Sequence, residues 1–143
     1  MELTTPPKGK QRPRLGRGGR VFTPAQTRRY EKLLKAAARK IYQRPPAWGV
    51  LGIRVDAYFR RPAKPGRSHP CRKGPVTAFP MGMGGSTYPD ASNVLKAAED
   101  ALNGVVYHDD KQISDARCVR YWADEAQAST LVITVWRIES ADV

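Results

Sequence analysis

Apolar residues recur along this chain with two periods, and the stretches where each holds mark its elements. Tyr30, Leu33, Leu34, Ala37, Ala38 and Ile41 return at helical spacing, with Arg28, Arg29, Lys32, Lys35, Arg39 and Lys40 on the opposite face. Thr23-Pro24 reads as an N-cap followed by proline at the first helical position, and Pro45-Pro46 stops the run. A helix is therefore predicted from Pro24 to about Tyr42. From Trp48 to Arg60 the period drops to two: Leu51, Ile53, Val55, Ala57 and Phe59 face one way, Val50, Gly52, Arg54, Asp56, Tyr58 and Arg60 the other, as in a strand with one buried face. Helical spacing returns at Val94, Leu95, Ala97, Ala98, Ala101 and Leu102, which predicts a helix from Ser92, read as its N-cap, to the Asn103-Gly104 stop. Strands are expected over Asp115–Trp122 and Ser129–Ile138, with short ones near Val21-Phe22 and Val76–Phe79. The sum is α+β: a small, mixed, mostly antiparallel sheet packed against two main helices.

The 143 residues suit one domain, 1–143, with one core. Two segments lack apolar periodicity: a basic arm over residues 1–20, and a long Pro/Gly/basic loop over 61–89. Net charge is +12, so a polyanion is the first partner to consider. The charge is also divided along the chain. Residues 1–73 hold 20 basic groups and only three acids, whereas residues 74–143 hold five basic groups against ten acids. A protein that merely coats nucleic acid has little reason for such a separation; a metal-using enzyme acting on nucleic acid does.

Other classes fall away. No run of about 18 apolar residues exists, so no membrane span is expected, and the N-terminal residues lack the pattern of a secretory signal. Cys71 and Cys118 have no C-x-x-C partner, which argues against a disulfide scaffold and a zinc site and fits a reducing cytoplasm. Met81-Gly82-Met83-Gly84-Gly85 lacks the G-K-[ST] of a phosphate-binding loop, so no nucleotide cofactor is expected. His108 reads as an exposed turn residue. Trp48, Trp122 and Trp136 read as core or dimer packing.

The polar face of the second helix carries the chemistry. Asn93, Lys96, Asp100 and Asn103 share the side opposite the apolar stripe, Asp90 stands just before the helix, and a short connection returns Asp109 and Asp110 toward it. Carboxylates converging from separate elements suit Mg²⁺ or Mn²⁺, and Lys96 could stabilise charge on a scissile phosphate. The same letters fit a plain surface: Lys96 and Asp100 are an i,i+4 pair, and Asp-Asp between strands is common turn chemistry.

The run Tyr88-Pro89-Asp90-Ala91-Ser92-Asn93 through Lys96, Asp100-Ala101-Leu102-Asn103-Gly104 and Asp109-Asp110-Lys111-Gln112-Ile113 resembles the RusA family of Holliday-junction resolvases, many of them encoded by phages and prophages. Lys8-Gly9-Lys10-Gln11-Arg12-Pro13-Arg14, followed by Val21-Phe22-Thr23-Pro24, is similar to the opening of phage members. The resemblance implies a homodimeric, Mg²⁺-dependent endodeoxyribonuclease, with Mn²⁺ as a possible substitute, that nicks four-way DNA junctions symmetrically in the cytoplasm of a bacterial or phage-infected cell. It implies catalytic roles for Asp90, Lys96 and Asp110, and metal ligation by Asp90 and Asp110 with Asp109 or Asp100 in support. Lys8, Lys10, Arg12, Arg14, Arg17, Arg20, Arg28 and Arg29 would grip DNA, and Tyr88 would reach a base or sugar. One position departs: Ser92 stands where the family has a second metal aspartate. Either Glu99, Asp100 or Asp109 supplies the missing charge, or the site binds metal weakly; the alternative function is a junction-binding protein that cuts little or not at all.

Overall fold

The strand predicted between Trp48 and Arg60 lies at the centre of the architecture. The computed structural model describes residues 1–60, 88–123 and 128–139. Within them the chain runs β1 (Glu2–Leu3), β2 (Arg14–Leu15), β3 (Val21–Phe22), α1 (Ala25–Ile41), β4 (Leu51–Phe59), α2 (Ala91–Leu102), a 3-10 turn (Asp110–Gln112), β5 (Ile113–Trp122) and β6 (Thr130–Arg137). The main sheet has the order β1-β6-β4-β5. Its β1–β6 and β6–β4 pairs are antiparallel, and β4–β5 is parallel. A parallel pair requires a crossover, and α2 lies in it. The strand expected at 76–79, the 81–85 glycine-rich segment, His69 and Cys71 lie outside the described residues.

Alternation along β4 decides which side of the sheet is covered. Leu51, Ile53, Val55, Ala57 and Phe59 are buried together with Tyr30, Leu34 and Ala38 of α1 and Val94, Ala97, Ala98, Ala101 and Leu102 of α2. Three of the five buried α2 residues are alanines, which lets the helix approach the sheet closely. The other face of β4 and β5 is polar: Arg54 pairs with Asp56, Arg117 with Asp115, and Tyr58 stacks on Tyr121. Gly52 is an exception on that face. A Cβ there would lie 2.2 Å from the Trp136 ring, so only glycine lets the half-buried indole cross the sheet.

Several local expectations shift. Pro24, in extended backbone, is the residue before α1, and no side chain caps the helix, so Thr23 does not serve as N-cap. Ser92 is not the cap of α2 either. Asp90 is, because its carboxylate accepts the Asn93 backbone N–H. Leu33 and Ile41 of the expected apolar stripe are exposed, leaving the buried face of α1 narrower. The arm is also more ordered than its composition suggests: Glu2–Leu3 extends the sheet, and Arg14–Leu15 pairs with Val21–Phe22 as an antiparallel ribbon. Trp122 is buried as expected, whereas Trp48 is 72% exposed and belongs to no core.

Candidate active site

α2 presents Lys96, Glu99 and Asp100 on its uncovered side, and the turn after it is built to return a carboxylate to them. The helix stops at Leu102; Gly104, at φ 74°, takes the left-handed conformation that glycine favours, and its N–H donates to the Tyr107 carbonyl. The Tyr107 ring is wholly buried, and its hydroxyl donates to the Glu99 carbonyl at 2.7 Å, fastening the returning chain to the last turn of α2. Asp109 then caps the 3-10 turn by accepting the Lys111 N–H. The Gln112 side chain closes the unit. Its Oε1 accepts the His108 and Asp109 N–H groups, while its Nε2 donates to the Ala47 and Gly49 carbonyls, each at 3.0 Å. Most polar groups of the D-D-x-Q run thus shape the turn, and Asp110 projects from it toward α2.

There Asp110 meets Lys96. Lys96 Nζ donates to Asp110 Oδ2 at 2.7 Å, stands 3.2 Å from Asp100 Oδ1 and 4.0 Å from Glu99 Oε2. A second lysine joins from the arm: Lys10 forms an ion pair with Asp100 and lies 3.8 Å from Glu31 of α1. Its backbone N–H donates to the Asn93 carbonyl, and Gly9 packs so closely that a Cβ would lie 2.7 Å from Pro89. The arm is therefore laid along the start of α2. Four carboxylates from α1, α2 and the 3-10 turn share two ammonium groups.

Electrostatics assigns these groups different duties. The hydrogen bond to Asp110 raises the Lys96 pKa well above its ordinary value, so Lys96 is a permanent cation and not a proton acceptor. The same bond holds the Asp110 carboxyl below its usual range, keeping it ionised. Burial pushes Glu99 and Glu31 upward. Burial also raises the Tyr107 hydroxyl, which stays protonated and suits its structural hydrogen bond.

Asp90 stands at the other end of α2. Its Oδ1 accepts the Asn93 N–H at 2.8 Å and the Ser92 hydroxyl at 3.1 Å; among the described residues its Oδ2 accepts nothing. Arg120 Nη1 donates to the Pro89 carbonyl at 3.2 Å and fixes the approach to it. Ser92 thus orients Asp90. The donor set is entirely oxygen, the kind that hard divalent cations take. An ammonium held against two carboxylates also marks a place where positive charge is stabilised. Among the described residues, however, no three His, Cys, Asp or Glu side chains converge closely enough to hold one ion. Lys96 bridges Asp100 and Asp110, and Asp109 is occupied by its own turn.

The expected DNA-contacting residues divide. Lys10 belongs to the carboxylate cluster, and spacing alone could not show this because Asp100 is 90 positions away. Lys8, Arg12, Arg14, Arg17, Arg20, Arg28 and Arg29 are exposed, and none pairs with a carboxylate among the described residues. An open groove of about 690 Å³ runs at the base of the arm, lined by Lys8, Lys10, Arg12, Arg14, Tyr30 and Asn93 among others. Tyr88 is half-buried, its ring edge-on to Phe59 and Trp122. His108 is exposed as expected, and Trp48 stacks on it at 3.8 Å. No helix among the described residues is long and apolar enough to cross a membrane.

A family model described as Endodeoxyribonuclease RusA matches residues 4–135, nearly the whole chain. The uncharacterized protein YqaN of Bacillus subtilis (strain 168) is similar over a shorter stretch, 32% identical over 47 residues, which is 33% of this chain and 33% of that protein. The alignment thus spans about a third of that relative's own length.

Proposed function

The chain belongs to the RusA endodeoxyribonuclease family, and from that membership we propose that it hydrolyses phosphodiester bonds at four-way DNA junctions, with two copies nicking two strands symmetrically. The observation that carries this reading is the meeting of Lys96 and Asp110, brought from a helix and a turn to 2.7 Å. Catalysis of phosphodiester hydrolysis needs a fixed positive charge where charge grows on the phosphate and carboxylates that stay ionised. Lys96 supplies the first and Asp110 the second, each maintained by the other.

Asp90 and Asp110, with support from Asp100 or Asp109, would hold Mg²⁺, with Mn²⁺ as substitute, and would have to draw together to share one ion. When bound, the ion supplies an activated water and offsets charge on the phosphate. Asp90 is prepared for this by Ser92 and Asn93, which bind one carboxylate oxygen and leave the other open. Lys10 compensates Asp100 and ties the arm to the cluster, so DNA held by the arm is held beside the carboxylates. Lys8 and the arginines of the arm and α1 that pair with no carboxylate among the described residues supply backbone affinity. Exposed Ile41, Trp48 and Val50 offer apolar surface for the second copy.

The test incubates labelled four-way junctions and matching linear duplexes with the protein in Mg²⁺, in Mn²⁺ and in chelator. Paired nicks on the junction alone, present in either metal and absent in chelator, are the expected result. Junction binding without cleavage in both metals would replace this reading with a binding protein whose metal site lacks the charge of an aspartate at Ser92.

A further inference from the structure

The β2–β3 ribbon carries apolar side chains that the fold does not use. Leu15 and Val21 sit directly opposite one another across it, so they share one face, and they are 76% and 68% exposed. Arg14 and Phe22 form the opposing pair on the other face, where the Phe22 ring covers Gly16. The turn between the strands is tight: the Gly16 N–H donates to the Arg20 carbonyl at 2.8 Å, and Gly18 and Gly19 take φ of 82° and 74°. Among the described elements, β2 and β3 pack chiefly on each other. A short, well-defined hairpin thus presents an adjacent Leu–Val pair to solvent.

Charge says what covers that pair. Residues 3–30 contain eight basic residues and no acid. Arg14, Arg17 and Arg20 flank the apolar pair, are exposed and pair with no carboxylate among the described residues. A protein partner or a second copy of so basic a ribbon would have to bring many acids, whereas DNA offers phosphates for the arginines and an apolar stack of bases for Leu15 and Val21. Side chains of this kind between flanking basic residues unstack base steps in other DNA complexes. Unstacking costs least where the stack is already interrupted, as at a branch point.

Resting on the function proposed above, we infer that the β2–β3 ribbon is a wedge: Leu15 and Val21 enter the stack at the branch point while Arg14, Arg17 and Arg20 hold the adjoining phosphates. The arm would then lead from the branch point, along the basic groove, to Lys10 at the carboxylate cluster. The wedge selects branched DNA, and the arginines supply affinity for any duplex.

A junction carrying 2-aminopurine at the branch point, beside one carrying it in the middle of an arm, tests this without added divalent cation. Wild-type protein should raise the fluorescence at the branch point and leave the mid-arm signal unchanged. The Leu15→Ser/Val21→Ser double variant should lose that rise and bind the junction about tenfold more weakly, with duplex affinity within about twofold and the melting temperature unchanged. Arg17→Gln/Arg20→Gln should weaken junction and duplex in step. A fluorescence rise that survives in the double variant, or a double variant that loses junction and duplex equally, would overturn the wedge while leaving the nuclease reading intact. A double variant with a changed oligomeric state would assign the face to a second copy instead and overturn it too. Wild-type protein that binds junctions no better than duplexes would overturn the functional reading and the wedge with it.

Discussion

The arm over residues 4–22 and the segment over residues 88–112 are both rich in charge, and they use it in opposite ways. In the later segment charged side chains are committed to the protein itself: Asp90 caps α2, Asp109 caps the 3-10 turn, and Lys96, Asp100 and Asp110 engage one another. Along the arm Arg12, Arg14, Arg17 and Arg20 engage no carboxylate among the described residues, and only Lys10 crosses over to join the cluster. Charges that satisfy one another inside a site fix geometry and hold protonation states. Charges left facing solvent are available to a polyanion. Chemistry belongs to residues 88–112 and grip to the arm.

The largest effect that could break this contrast comes from Lys96. Lys96→Met removes the cation between Asp100 and Asp110 and should lower junction cleavage by about 10²-fold or more. It should also let the Asp110 carboxyl titrate at a higher pH, followed by NMR of the side-chain carboxyl. In the wild type Asp110 is held below its ordinary value, so the stability that its ion pair contributes is present above the unfolded pKa and lost as pH falls through the folded one. The variant should have no such contribution to lose. An unchanged Asp110 titration would show that the two residues do not set each other's charge.

A smaller effect tests the scaffold. Gln112→Ala deletes both Nε2 donations, to the Ala47 and Gly49 carbonyls, and the two bonds its Oε1 accepts, which should destabilise the fold by about 1–3 kcal/mol in chemical denaturation. Tyr107→Phe removes one buried hydrogen bond and should cost about 1 kcal/mol. Unaltered stability in both would mean that the turn holds Asp110 by some other means. The smallest effect on stability belongs to the arm. Replacing Arg14 and Arg17 with Gln should leave the melting temperature where it is, yet reduce the salt slope of duplex binding by ~0.9 for each phosphate that is no longer neutralised.

The elements were legible where one period dominates. β4 alternates over nine residues and α2 keeps an apolar stripe for twelve, so both were readable to within a few residues. Lys96, Asp100 and Asp110 could be grouped because helical spacing and a short turn bring them together by local geometry. The cap of α2 was harder, since Asp90 and Ser92 both carry a suitable oxygen and only backbone conformation decides between them. Lys10 could not be placed beside Asp100, because nothing local encodes a contact across that sequence distance. Val21-Phe22 was legible as a short strand, but its partner Arg14–Leu15 was not, since a strand of two residues is too short to show a period. For Trp48 the sequence left core and dimer packing open, and of the two the structure removes the core, since the ring lies outside on His108.

The division between grip and chemistry is tested most directly by measuring junction Kd and single-turnover cleavage rate at saturating protein, side by side, for Asp110→Asn and for Arg14→Gln/Arg17→Gln. Asp110→Asn should abolish cleavage with Kd nearly unchanged. The arginine variant should instead raise Kd while cleaving at the wild-type rate once the junction is saturated. Both variants losing affinity and rate together, or Asp110→Asn cleaving as fast as the wild type, would contradict it.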